Sequence, residues 1–292
     1  MSTLLDSSIL GLLNGFIYAL LSIGLALIFG VVRVVNFAHA EMMMLAAYVV
    51  IALVAVTNNL WVAVAGSLVL VFVFGFFSDR LILRPIRSKS LGDFEVRSLV
   101  GTIGLSLLIA NGAFVIAGPD QFRTPGFLSG SVRLGNVVVP SQQVLAGAAS
   151  LIAIAALLVL LRRTKIGLAI RAVKDDPEIV EIFGIRRDRV YAVTFAMASA
   201  LAGLAGILIA PTQFMYPFMG SAFLLKAFVI VVMAGLGSLN GVLLASLLLG
   251  VLEGLTVAYL GGQAGELMFF VVMVMVLLVR PYGLLGAAEA RS

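Results

Sequence analysis

The chain has 292 residues, 62% hydrophobic and 11% charged, and its mean hydropathy of +1.18 lies far outside the range of soluble domains. Its 19 Lys and Arg against 14 Asp and Glu give +5, which in so apolar a chain reports basic membrane-facing loops and not nucleic-acid binding. With no Cys and a single His, disulfides, thiolate metal sites and most His-based metal clusters are excluded, so neither metal nor cofactor is expected.

A bilayer core of about 30 Å takes roughly 20 apolar residues per helix. By that length the chain divides into Ile9–Val32, Met42–Val56, Leu60–Phe77, Leu99–Ala117, Val144–Leu161, Val190–Ala210, Phe223–Leu236, Val242–Leu260 and Met268–Val279. The expected fold is an all-α polytopic membrane protein, one transmembrane domain over residues 1–292. It is a bundle of eight or nine transmembrane helices, with a broken or re-entrant segment near Gly235 and Gly237 accounting for the uncertain count. The first run has no basic residues before it and no small-residue cleavage pattern after it, so it reads as a retained span.

Just past the first span stands Arg33, and then the polar cluster of Asn36, His39 and Glu41. Ionisable groups at membrane depth cost roughly 2.5–3.5 kcal/mol each, so they face a cavity, a partner or an interface. The cluster is either a loop capping the next helix or the polar lining of a translocation pathway.

The segments Ser78–Ser98 and Arg162–Arg189 together hold thirteen of the nineteen basic residues, which predicts a cytoplasmic side for both. Gly118–Gln143 carries only Arg123 and Arg133, and Pro211–Ala222 and Gly261–Leu267 carry none, so these face outward. Arg280 then puts the C-terminus inside.

Within 162–189, Asp175-Asp176-Pro177-Glu178 is a helix-start signal: a carboxylate cap, proline at the first helical position, then another acid in the first turn. A short capped helix on the membrane surface is a natural grip for a soluble partner. On the outer side, Pro211–Pro217 with Gln213 and Tyr216 reads either as a Pro-rich turn or as a substrate entry lip.

Lys226 and Glu253 lie in or beside apolar runs. They either pair across neighbouring helices or Lys226 snorkels to the outer interface; snorkelling is the expectation for Lys226, and a buried polar contact the expectation for Glu253. Gly11/Gly15, Gly237/Gly241 and Gly250/Gly254 carry the four-residue spacing of close helix packing. No phosphate-binding loop, zinc-protease helix or nucleophile elbow occurs, so the chain is not expected to be an enzyme, and uphill transport needs a coupled ion or a separate ATPase.

The run Gly24–Glu41, ending Asn36-Phe37-Ala38-His39-Ala40-Glu41, resembles the opening signature of LivH-type permeases of branched-chain amino acid ABC transporters, with Ala40 where that family commonly has glycine. Ala172–Tyr191, Ala234–Gly241 and Val279–Gly286 resemble the same family, in the same order. The resemblance implies a permease in a bacterial inner membrane, paired with a second related permease, two cytoplasmic ATPase subunits and an extracytoplasmic substrate-binding protein. It implies that the coupling element is the 162–189 segment, with Asp175, Asp176, Pro177, Glu178, Phe183 and Gly184 at the ATPase. The competing expectation is a stand-alone ion-coupled carrier using His39 and Glu41 as a proton relay; a passive channel is a third.

Overall fold

The computed structural model describes residues 2–89, 94–134 and 137–285; Gly286, the last residue of the final resembling stretch, lies outside them. Twelve α-helices occur among the described residues, with a single two-stranded hairpin. Seven are long and apolar enough to cross a membrane, including α1 (Ser2–Val32), α3 (Leu60–Ser78), α5 (Phe94–Ala117) and α6 (Ser141–Arg163). The others are α9 (Arg187–Ile209), α11 (Leu239–Leu260) and α12 (Gly262–Val279). Two shorter apolar helices, α2 (Glu41–Thr57) and α10 (Met219–Ala234), complete the set of nine expected apolar runs. The chain is a polytopic all-α membrane protein.

The bundle has two distinct ends. At the basic end lie α4 (Arg84–Lys89), α7 (Lys165–Asp175) and α8 (Ile179–Ile182); α4 continues α3 through a π-helical stretch at Asp79–Leu83. At the opposite end β1 (Ser131–Leu134) and β2 (Val137–Pro140) pair antiparallel, and the Phe122 and Met215 backbones exchange hydrogen bonds of 2.9 and 2.7 Å.

Small residues let the central helices touch. A side chain at Gly11 would strike the Gly250 backbone, one at Gly254 would strike Ser7, and Gly15 lies against Ser246 and Leu247, so α1 and α11 meet backbone to backbone. Gly75 of α3 is likewise pressed on Ser199 of α9. The third expected pair, Gly237/Gly241, is not a helix-packing motif. Gly237 sits in the turn between α10 and α11, where the chain bends through positive φ at Gly235 (94°) and Gly237 (82°). The break near Gly235 is therefore a tight turn joining two helices at the basic end.

Candidate functional site

The segment between α1 and α2 runs back into the bundle. Arg33 takes a left-handed conformation (φ 58°) and its N–H bonds the Phe29 carbonyl at 2.9 Å, ending α1. Asn36 then turns the chain, its side-chain oxygen accepting from Ala38 N–H at 3.1 Å. His39 finishes fully buried, with Nε2 donating to the Leu21 carbonyl at 3.0 Å. Leu21 lies about 16 Å along α1 from its end at Val32. The His39 ring also covers Gly24, where a side chain would have no room.

Glu41 begins α2 in this buried position, 3% exposed. Its Oε1 accepts from Ser106 Oγ of α5 at 3.1 Å, its Oε2 has no hydrogen-bond partner, and Gly220 in the first turn of α10 lies directly against the carboxylate. His39 therefore faces α1 and α9, whereas Glu41 faces α5 and α10. The two residues, separated by Ala40, hydrogen-bond to different helices, His39 to α1 and Glu41 to α5.

At the hairpin end, Gln213 and Tyr216 are exposed on the irregular stretch before α10, on either side of the buried Met215. The loop after α5 lies over this stretch: Arg123 stacks on the Phe214 ring at 4.5 Å and donates to the Thr212 carbonyl at 3.2 Å. Gln142 orders the same loop by accepting from the Phe127 and Leu128 N–H groups at 2.9 and 3.3 Å.

At the basic end, the expected short capped helix is present. Asp176, not Asp175, supplies the cap, with Oδ1 accepting from the N–H groups of Glu178 and Ile179 at 2.9 and 3.0 Å. Gly184 ends the turn at φ 79°. Ile182 and Phe183 project into the surroundings, 83% and 78% exposed. Behind this tip α7 was not legible as a separate helix. It buries Ile170 and Val173, and Lys174 donates to the Gly237 carbonyl at 3.2 Å. Gly30 of α1 meets the same turn.

Two stretches read separately in the sequence meet there. Leu284 and Leu285 N–H groups bond the last carbonyls of α10, those of Met233 and Ala234, at 2.8 and 3.1 Å, and Gly283 lies flush on Gly235. The segment after α12 thus closes the end of α10 and holds the turn shut.

These features coincide with a known family. The model of the branched-chain amino acid transport system permease component matches residues 8–279. This chain belongs to that permease family. The LivH permease of Salmonella typhimurium, a high-affinity branched-chain amino acid transport protein, is 30% identical over 97% of this chain and 95% of its own length. The LivM permease of Escherichia coli is 35% identical over 130 residues, 43% of this chain and 29% of its own. Among solved structures, PsaBC from Streptococcus pneumoniae in complex with Fab aligns over 97% of this chain and 93% of that chain, at 14% identity and a TM-score of 0.46.

Several residues that shape the permease left no signal in the sequence. Ser106 is one of many small residues in an apolar run, and only the fold brings it to Glu41. Asp79 and Arg87 both lie in the basic Ser78–Ser98 segment, and only the fold pairs them, at 2.8 and 3.1 Å.

Proposed function

We propose that this permease is the membrane-spanning subunit of an ATP-driven importer of branched-chain amino acids in a bacterial inner membrane. In this reading it works with a second, related permease, two cytoplasmic ATPase subunits and an extracytoplasmic binding protein. The basic end and the C-terminus face the cytoplasm, as the excess of Lys and Arg there favours. The partial likeness to LivM supports a related second permease, and the names of both relatives support the substrate class.

One observation carries the coupling role: the capped Asp175–Gly184 hairpin exposes Ile182 and Phe183 at its tip. Apolar side chains held out by a rigid turn suit insertion into a partner's groove. Closure of the ATPase pair presses α8 and α7, and the Lys174 contact passes the movement to the turn between α10 and α11. At its other end α10 lies against Glu41. A push at the basic end therefore reaches the middle of the bundle, as alternating access requires.

Deleting Asp175–Gly184, or replacing Ile182 and Phe183 by Asp, is expected to abolish ATPase co-purification while membrane insertion stays normal. Unaltered uptake by either variant overturns the reading, as does leucine uptake driven by a proton gradient in vesicles holding this chain alone.

A further inference from the structure

Where α1, α6, α7 and the start of α11 come together at the basic end, they enclose a cavity of about 320 Å³. Its inner wall is aliphatic: Leu27 and Val31 of α1, Leu161 of α6 and Ile170 of α7 line it and are buried. Its rim is cationic. Arg162 in the last turn of α6 and Arg171 and Lys174 on α7 line it, and among the described residues no Asp or Glu does. Ser238 and Asn240, where α11 begins, add polar side chains.

The three cations are unmatched. Arg84, Arg87 and Arg187, at the same end, meet Asp188, Asp79 and Glu181 at 2.9, 2.8 and 3.0 Å. Among the described residues Arg162, Arg171 and Lys174 pair with no carboxylate, and Lys174 holds only the Gly237 carbonyl, which leaves its charge in place. Like charges gathered around one recess repel each other, and an anion between them removes that cost. A phosphate suits them: its oxygens accept from several donors at once, and the arginine fork binds two of them in one plane.

We propose that this cavity binds a phosphate group, presented by an anionic phospholipid of the cytoplasmic leaflet and held by Arg162, Arg171 and Lys174. The inference rests on the reading in which the basic end faces the cytoplasm, and is independent of the cargo. The spans end at this level, α1 at Val32 and α6 at Arg163, so the cavity lies at the depth of lipid headgroups. Helix α7 buries Ile170 and Val173 and exposes Arg171 and Lys174, the pattern of a helix lying on a membrane surface. The aliphatic wall behind the cations favours a lipid over a soluble phosphate, because it offers the glycerol and first acyl carbons an apolar surface. A zwitterionic lipid brings its own cation beside the phosphate, which the three basic groups repel.

The site bears on coupling, since Lys174 is the residue that joins α7 to the turn between α10 and α11. A phosphate shared by Arg162 and Arg171 ties α7 to the end of α6 and steadies that junction.

The test reads lipid binding to the detergent-released transporter by native mass spectrometry and by its thermal unfolding midpoint. Added phosphatidylglycerol remains bound and raises the midpoint, and phosphatidylcholine does neither. Arg162→Gln with Arg171→Gln, both on the exposed rim, weakens phosphatidylglycerol binding about tenfold or more, and either change alone by a few-fold. Arg163→Gln, one position along but outside the lining, leaves binding unaltered. Inorganic phosphate is the second arm. A midpoint rise with phosphate that matches the lipid's and needs the same two arginines keeps the phosphate site and overturns the lipid as its source.

Equal binding of phosphatidylglycerol by the double variant and the unaltered protein overturns the assignment. Equal loss in Arg163→Gln does so too, because it reduces the effect to general attraction between a basic surface and an anionic membrane. If the double variant loses ATPase co-purification while lipid binding is unaltered, the cavity belongs to an acidic segment of that subunit and the proposal fails. An unaltered chain that co-purifies with no ATPase sinks the importer reading but leaves lipid binding to the chain measurable, so the two failures are distinct.

Discussion

Lys226 Nζ stands 2.6 Å from Glu253 Oε1, tying α10 to α11 within the apolar part of the bundle. Three rings enclose the ammonium group, with the centroids of Tyr18, Phe269 and Phe223 at 5.2, 5.3 and 5.9 Å. Lys226 does not snorkel to an interface as its position in the sequence suggested, because an acid lies one helix away and aromatic faces supply the remaining contacts. Two costly charges have been made into one neutral unit.

Removing one member strands the other. Lys226→Met or Glu253→Gln alone is expected to cost about 3 kcal/mol or more, and the double replacement Lys226→Met with Glu253→Leu distinctly less. Thermal unfolding of the detergent-solubilised protein measures this. A double variant that loses as much as the two single variants together would show that the pair is not coupled.

The α1–α11 contact leaves no room for side chains. Gly11→Leu is expected to separate the helices, costing about 1–3 kcal/mol for overpacking and sharply lowering the yield of folded protein. Gly104 meets nothing within 4 Å of an added Cβ. Gly104→Leu should therefore express and unfold like the unaltered chain, and equal losses at both sites would refute the packing argument.

Lys174 links α7 to the Gly237 carbonyl, and in the proposed mechanism this is where force crosses from the coupling segment to the bundle. Lys174→Met keeps the Ile182–Phe183 tip and so should keep ATPase binding. Uptake per ATP hydrolysed is expected to fall several-fold. A variant with an unchanged ratio of transport to hydrolysis would remove Lys174 from the path.

How far the sequence could be read depended on whether the information was local. Hydrophobic run lengths reported the nine apolar helices, and Asp176 and Pro177 announced the short capped turn after α7, because span length and capping are properties of a few neighbouring residues. The inward return of residues 33–40 was not legible. Its apolar and polar residues suit a surface loop equally well, and only the space above Gly24 draws His39 in. The Glu41–Ser106 contact spans 65 residues and the Lys226–Glu253 pair spans 27, and no local period encodes either. Charges in apolar runs showed that partners must exist, and the fold showed which.

Asp79 is fully buried in the π-helical stretch after α3, where Arg87 grips both carboxylate oxygens at 2.8 and 3.1 Å. Arg87 also covers the Tyr191 ring at 4.6 Å and approaches Asp188 at 3.7 Å, so one guanidinium joins α4 to the start of α9. Arg87→Ala leaves a buried carboxylate unpaired and is expected to cost about 3–5 kcal/mol. Arg87→Lys should recover only part of that, since an ammonium cannot bind both oxygens in the same plane. The neighbouring Arg84–Asp188 pair, at 2.9 Å, is half exposed on both sides, and Arg84→Ala is expected to cost about 1 kcal/mol or less. Unfolding midpoints of the three variants should therefore rank Arg84→Ala highest, Arg87→Lys next and Arg87→Ala lowest. If Arg84→Ala proved as damaging as Arg87→Ala, the strength of this junction would lie in Asp188 and not in the buried Asp79.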